Sequence, residues 1–400
     1  MLQGNRLRSG LLRTALVAGT ALAAVPAAHA FNPPSPMKID GGPLGQLLLS
    51  GGADGYAYGL TGAGSSSSPG LLGTDKSGGA EFMNGLVELQ KSDGIIQGTI
   101  EAGSTNNFVM GYAPHATSVT TFATGPLYAA YLTLVPNSYI SISAGHLGSL
   151  EGYESGIDWN NFNVLTTDIF EVENSQSTGV QVTGTLGPVS ATVLFGDGFD
   201  TQQWSYMQAS ATYTINSNNA ATLFGSTNIA TIGAGAHFYG SATTPYNSSF
   251  VGSGPGSAAP FVNSSMIGGY YSWTMGNLNV VPEFQYTWAT KTPSVGLAKF
   301  SSNLGLAVFA NYQFGKSPWS LGGWVQYFNS NGPDAWFLNA GSQGVGFSIA
   351  PTWQGKYLFV RGDIGFIHLS KVGVPGSAAY TASGNERNQA TFLVETGVLF

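Results

Sequence analysis

The sequence predicts an all-β fold: a transmembrane, antiparallel, up-and-down β-barrel of about sixteen strands, with fourteen and eighteen as the neighbouring counts. Three observations predict it. Sixteen segments between residues 46 and 400 can form strands, and many alternate apolar with polar residues. The connections between them run short and long in strict turn. Charged residues make up 8% of the chain while hydrophobic ones make up 43%, against roughly 25% charge in an ordinary soluble domain. A soluble β-sandwich could share the alternation, but its solvent faces would need charge that this chain lacks. The 57 Gly suit tight turns, and the 8 Trp, 18 Tyr and 23 Phe suit aromatic girdles around a lipid-facing wall.

The first thirty residues have the order of a secretory signal. Arg6, Arg8 and Arg13 form a basic start, Leu16 to Ala24 a short apolar core, and Ala28-His29-Ala30 a small-x-small cleavage site. Cleavage would fall between Ala30 and Phe31. The apolar core is too short to span a bilayer. Residues 1–30 hold three of the 13 basic residues and none of the 20 acidic ones, so the remainder carries a net charge of −10. That balance excludes nucleic acid, which needs a basic footprint. The chain has no cysteine, which excludes a disulfide scaffold, thiolate metal sites and cysteine nucleophiles.

Residues 31–45 read as a short Pro-rich lead and 46–400 as a single barrel. The strand segments lie near 46–60, 80–92, 94–103, 126–135, 138–147, 177–186, 188–196, 204–215, 219–238, 264–275, 278–290, 302–314, 318–329, 343–353, 355–369 and 390–400. The clearest is 303–314, where Leu304, Leu306, Val308, Ala310, Tyr312 and Phe314 share one face. Asn303, Gly305, Ala307, Asn311 and Gln313 share the other, with Phe309 the exception. In 278–288 the same rule opposes Leu278, Val280, Phe284, Tyr286 and Trp288 to Asn279, Glu283, Gln285 and Thr287. Pro282 removes a ladder donor there, and a bulge is expected.

Short turns such as Ser92-Asp93-Gly94, Leu186-Gly187-Pro188 and Met275-Gly276-Asn277 alternate with long connections at 61–79, 104–125, 148–176, 197–203, 239–263, 291–301, 330–342 and 370–389. Both ends of the barrel then fall on the short-turn side, which requires an even strand number. The Ser-run Ser65 to Ser68 and the stretch 251–260 sit inside long loops and read as loop tips. The lead is too short to form a plug of the kind that fills large transporters.

The last ten residues, Thr391 to Phe400, put Phe392, Val394, Thr396, Val398 and Phe400 on one face and Glu395 on the other. This ending resembles the terminal strand of bacterial outer-membrane barrels. The resemblance implies that Phe392, Val394, Val398 and Phe400 form a signal read by the barrel-assembly machinery. Further stretches resemble the OmpL-like β-barrel porin family of Gram-negative bacteria. They are Gly51-Gly52-Ala53-Asp54-Gly55-Tyr56, Gly152-Tyr153-Glu154-Ser155, Asp158-Trp159-Asn160-Asn161, Val172 to Ser177 with Gly179-Val180-Gln181, and Phe195-Gly196-Asp197-Gly198. This resemblance spans most of the chain. It implies an outer-membrane location and passive transport, and brings no functional residues of its own.

Candidate functional residues gather in the third long connection. In general porins that loop narrows the barrel, and the analogy makes 148–176 the expected constriction. It holds Glu151, Glu154, Asp158, Asp168, Glu171 and Glu173 and no Lys, Arg or His. Carboxylates in a channel favour cations over anions. An outward loop whose acids meet solvent, divalent ions or lipopolysaccharide is the alternative. Strand register places Glu88, Glu101, Glu283, Arg361, Asp363 and Glu395 toward the lumen, with Arg361 and Asp363 expected to pair as an exposed wall bridge. Tyr271, Trp273, Tyr286, Trp288 and Trp353 lie on the outward face near strand ends and read as girdle residues.

An enzymatic barrel would need a histidine base. The candidates are His115, His146, His237 and His368, and His146 lies close in sequence to Ser149, Glu151 and Glu154. Asp197-Gly198-Phe199-Asp200 lacks the spacing of a calcium loop and reads as a turn. No phosphate-loop, zinc or dinucleotide motif is present, so no catalytic residue, metal or cofactor is expected. The expected function is a channel for small hydrophilic solutes with a preference for cations. The alternative is a non-conducting barrel that displays its loops or serves a structural role. The expected partners are outer-membrane lipid, lipopolysaccharide, the solutes and the assembly machinery. Trimers are common among general porins, and the sequence carries no interface signal of its own.

Overall fold

The computed structural model of the chain describes residues 31–117, 125–232, 258–334 and 336–400. Sixteen strands form one closed antiparallel ring: β1 (Gln46–Leu60), β2 (Gly78–Lys91), β3 (Ile96–Ser104), β4 (Leu127–Asn137), β5 (Ile140–Gly148), β6 (Gln176–Leu186), β7 (Val189–Gly196), β8 (Tyr206–Asn216), β9 (Asn219–Asn228), β10 (Ser264–Met275), β11 (Leu278–Ala289), β12 (Ser301–Gln313), β13 (Trp319–Asn331), β14 (Gln343–Gln354), β15 (Leu358–Lys371) and β16 (Asn388–Leu399). Each strand pairs with its sequence neighbours, and β16 closes on β1 from Thr391 opposite Leu60 to Leu399 opposite Gly52. Closure leaves no unpaired edge, as a bilayer demands.

Side-chain exposure follows the alternation. On β12, Leu306, Val308 and Tyr312 are exposed outward while Asn303, Gly305, Ala307 and Asn311 are buried inward. The outer wall carries Leu132, Leu223, Val325 and Val394, each more than half exposed, a surface suited to lipid. Phe309, which breaks the polar inward set, lies inside at 2% exposure. Its ring centroid is 5.2 Å from that of Tyr153 in the 148–176 loop, so the exception marks a contact with that loop.

Three local expectations change. Pro282 produces no bulge: the register across β10–β11 is the same on both sides of it, and only the pairs opposite Tyr271 and Ser272 are missing. A missing N–H removes hydrogen bonds without adding a residue, so the strand stays in step. Pro351 interrupts β14–β15 in the same way. The strand expected over 219–238 ends at Asn228, and residues 233–238 lie outside the described residues. The lead is more ordered than a Pro-rich arm: Met37–Asp40 pairs with Gln46–Leu49, through a 3-10 turn at Gly42–Leu44. The reason lies in the stagger at closure. β16 ends opposite Gly51 and Gly52, so the first residues of β1 run past it, and the lead folds back to pair them.

At the long-loop end several connections meet over the mouth. The Leu338 N–H donates to the Tyr112 hydroxyl at 2.8 Å. The rings of Phe261 and Trp336 lie 5.5 Å apart. At the opposite end Phe31 is buried, its ring centroid 4.4 Å from that of the inward Phe359 and tilted 50° to it.

Candidate functional site

The connection between β5 and β6 turns into the barrel and crosses it. Two short 3-10 turns, Asp158–Asn160 and Phe170–Val172, shape it. Its middle, Leu165–Thr166, pairs in parallel with Phe108–Val109 from the loop after β3. Most of its residues are buried, including Ile157, Asp158 and every residue from Asn161 to Ile169.

The far wall receives the loop through named groups on β12 to β16. The backbone N–H groups of Val164 and Leu165 donate to Asp363 Oδ2 at 2.8 and 2.9 Å. Trp324 Nε1 donates to the Leu165 carbonyl at 2.8 Å. Asn163 Nδ2 donates to Ser348 Oγ at 2.9 Å, and the Asp168 N–H to Gln326 Oε1 at 2.8 Å. Glycines make the close approach possible. A Cβ at Gly322 would lie 2.4 Å from the Phe162 carbonyl oxygen, and one at Gly305 would lie 2.2 Å from Ile169. Any side chain at these inward positions would push the loop off the wall.

Five of the six loop acids separate into two sets. Asp158 and Asp168 are tied to the far wall, Asp158 by the Arg361 guanidinium and Asp168 by the Gln326 amide. Glu151, Glu154 and Glu173 stay nearer the loop's ends. Glu151 accepts the Tyr206 hydroxyl at 3.0 Å and the Asn174 N–H at 2.8 Å. Glu154 accepts from Thr167 within the loop. The Gln285 amide donates to both Glu173 and the wall residue Glu283, which brings a predicted loop acid and a predicted wall acid together. Burial pushes the carboxyls of Glu154 and Glu171 up to about 8 and raises that of Glu151.

The wall charges also find their places. Glu88 and Glu101 face each other across β2–β3, and Ser50 donates to Glu88 at 3.3 Å. Arg361 does not pair with Asp363 as expected, nor is it exposed. It is fully buried and holds Asp158 and, at 2.7 Å, Glu395. Asp363 takes its hydrogen bonds from Val164, Leu165 and Ser348 instead. Two residues on one face of a strand lie about 7 Å apart, and here loop groups from elsewhere fill the interval.

Open space lies on the other side of the lumen. A cavity of about 290 Å³ is bounded by Gln181, Thr192, Ser210, Thr212 and Thr222 of β6 to β9, with Glu151 at its loop side. Its wall hydroxyls pair across strands, Thr212 with Thr222 at 2.8 Å and Thr192 with the neighbouring Thr183 at 2.9 Å. The sequence reading did not single out this hydroxyl wall; its signal was the run of inward Thr, Ser and Gln on four consecutive strands.

The histidine arrangement is not assembled. His146 Nδ1 lies 3.3 Å from Thr178 Oγ1 and 3.7 Å from Asp200 Oδ1, while Ser149 Oγ donates to Gln208. His115 gives its carbonyl to Asn106 and His368 faces Asn388; His237 lies outside the described residues. Asp197–Asp200 is a tight turn, with φ of 43° at Gly198, 53° at Phe199 and 50° at Asp200.

The outward aromatics fall into two sets. Tyr271, Trp273 and Trp353 lie toward the short-turn ends of their strands, and Tyr286 and Trp288 toward the long-loop end, with ring centroids 5.6 Å apart. At the C-terminus Phe392, Val394 and Val398 are exposed outward. Phe400 exchanges backbone hydrogen bonds with Gly51 at 2.9 and 3.0 Å.

Comparison with known proteins agrees with this architecture. OmpT of Vibrio cholerae is similar in fold, with a TM-score of 0.54 at 10% identity over 89% of this chain and 98% of that one. The outer-membrane channel DcaP of Acinetobacter baumannii gives 0.53 at 10% identity over 88% and 97%. A trimer form of the Vibrio cholerae OmpT gives 0.54 at 11% identity over 88% and 99%. At such identities the likeness is one of fold. No curated protein sequence matches the chain. The profile described as "Putative beta-barrel porin-2, OmpL-like" matches residues 46–400, the whole barrel from β1 to the terminal phenylalanine, and the chain therefore belongs to this family of outer-membrane β-barrel porins of Gram-negative bacteria.

Proposed function

We propose that the barrel is a water-filled channel for passive diffusion of small hydrophilic solutes, with a preference for cations. The observation that carries this reading is the loop at 148–176, which turns into the lumen and sets Glu151 at the edge of a cavity of about 290 Å³. Glu154, Glu171 and Glu173 in the loop and Glu88, Glu101 and Glu283 on the wall add carboxylates, and Arg361 is neutralised by its own partners. Carboxylates at a constriction lower the energy of a passing cation and raise that of an anion. Transport of this kind needs no catalytic residue, metal or cofactor, and no bond is made or broken.

In the same reading residues 1–30 are an export signal cleaved between Ala30 and Phe31, 31–45 is the lead and 46–400 the single barrel. The assembly machinery reads Phe392, Val394, Val398 and Phe400. Tyr271, Trp273, Tyr286, Trp288 and Trp353 sit at the lipid interfaces. Lipid and lipopolysaccharide surround the wall, copies associate as trimers, and nucleic acid is not a partner.

Single-channel recording in a planar bilayer under a KCl gradient tests the proposal. Steady steps with a reversal potential on the cation side are expected. Anion selectivity would remove the role given to the loop acids. Silence from folded, inserted protein would favour a surface-display barrel, a reading to which the loops meeting over the mouth lend support.

A further inference from the structure

Asp54, Asp158 and Glu395 come from three separate elements: β1, the inward loop and β16. One carboxylate oxygen from each lies within 4.8 Å of the other two. The three side chains are buried, at 4%, 2% and 0% exposure. Arg361 is the cation that pairs with them among the described residues, through Nη2 to Asp158 and Nε to Glu395. Asp54 accepts the Asn84 N–H at 3.0 Å, and the Asn84 amide reaches both Asp54 and Asp158. Glu395 Oε1 is buried and finds no donor.

The charges do not balance. Three carboxylates meet one guanidinium, so the ionised cluster carries two negative charges out of contact with bulk water. A buried charge without a partner is strongly unfavourable. Asp363, the next inward carboxylate on β15, adds nothing to the cluster, since two backbone N–H groups and Ser348 already satisfy it.

Local backbone design brings the groups together. The β1–β2 register shifts between Ala53 and Gly55, and such a bulge re-aims side chains. The extra residue lies in β2, where Met83 and Asn84 are both buried opposite Asp54, while Asp54 keeps the inward alternation of Gly52 and Tyr56. Across the seam Asp54 faces Gly397, where an added Cβ would lie 2.6 Å from the Asp54 Cβ. The glycine leaves the room that Asp54 needs to enter the lumen.

We propose that Asp54, Asp158 and Glu395 form a site for one hard divalent cation of the Ca²⁺ type, which ties the inward loop to the seam where the first and last strands close. Two positive charges cancel the two that are unbalanced. Oxygen is the ligand type that such ions take, usually from carboxylates, amide carbonyls and water. The free Glu395 Oε1 supplies one position. Asn84 can supply another by turning its amide over, because the Thr105 hydroxyl that now donates to Asn84 Oδ1 can accept from the amide instead. Arg361 remains outside the ion and orients two of its ligands.

The full barrel, purified in detergent, tests this directly. After equilibration with Ca²⁺ and removal of free metal, the wild type retains one Ca²⁺ per chain. Asp54→Asn and Glu395→Gln each weaken binding at least ~10-fold, whereas Glu386→Gln, at an exposed loop, does not. Chelation lowers the wild-type unfolding midpoint by about 5 °C and leaves that of Glu395→Gln unchanged. Mn²⁺ titration followed by electron paramagnetic resonance checks the same stoichiometry. A wild type that holds neither ion, with a midpoint indifferent to chelation, overturns the proposal and leaves protons as the neutralising charge. That result stands even if a variant fails to insert. No step depends on conductance, so this proposal and the channel reading can fail separately.

Discussion

Asp158 and Arg361 lie 203 residues apart in the chain and form a buried ion pair, one on the inward loop and one on β15. Arg361 also donates to the carbonyl of Asn161 at 2.9 Å and to Glu395 at 2.7 Å. It therefore grips the loop by side chain and backbone at once. Replacing one partner of a buried pair leaves the other charge stranded, at a cost of about 3–5 kcal/mol. Arg361→Met should lower the temperature at which the barrel loses its fast-migrating folded form on gels. An unchanged transition would mean that the pair does not hold the loop.

The glycine contacts test whether the loop narrows the lumen. Gly322→Val forces a side chain against the Phe162 carbonyl, where even a Cβ would lie 2.4 Å away. Backbone cannot yield as a flexible side chain can, so the loop must lift. The outward face of β13 is untouched, and the barrel should still form. Single-channel conductance should rise. A variant that inserts normally and conducts as before would show that the solute path avoids the loop.

At pH 9, where burial holds fewer carboxyls protonated, neutralising Glu151, Glu154 and Glu173 together with Gln should move the reversal potential in a KCl gradient toward zero. Asp158→Asn should change it less, because Asp158 is buried against Arg361 at the barrel wall.

Selectivity should depend on pH in a set direction. Glu154 and Glu171 have carboxyls raised to about 8, so at pH 6 they are mostly protonated and add no charge. As pH rises through 8 they ionise, and cation preference should grow. The measurement is the reversal potential between pH 6 and pH 9. A flat profile, or one rising only near pH 4, would mean that these two carboxylates ionise as they do in water.

At the C-terminus, Phe400→Ala keeps the backbone exchange with Gly51 and removes the ring. The amount of barrel in the outer membrane should fall several-fold, while purified protein should unfold near the wild-type temperature. A large stability loss with normal assembly would reverse the assignment.

The barrel was legible because lipid imposes a simple rule. Every backbone polar group in a bilayer must pair, and every outward side chain must be apolar, so period-2 alternation survives even in a chain with 8% charge. Strand count, most strand limits to within a few residues and the closing pair β1–β16 follow from that rule and from the turn residues, the strand that ends at Asn228 being the exception. The sequence reading took six wall charges as inward from register but did not single out Asp54, which is buried on β1. The inward Phe309 was visible only as an exception, and its meaning waited for Tyr153. Gly305, Gly322 and Gly365 looked like any glycine in a strand, because the reason for them is a loop more than 130 residues earlier in the chain.

By itself, then, the sequence determined the class of solvent around this protein and the approximate number and order of its strands. Those are local properties, readable from alternate positions and short turns. Tertiary structure alone decided which charges meet. It gave Arg361 to Asp158 and Glu395 rather than to Asp363, placed Asp168 against Gln326 and left Glu151 beside open space. The physical reason is that barrel closure brings the first strand to the last, and the inward loop to walls far along the chain. Charges that no sequence spacing relates are then buried at contact distance, where each must find a partner.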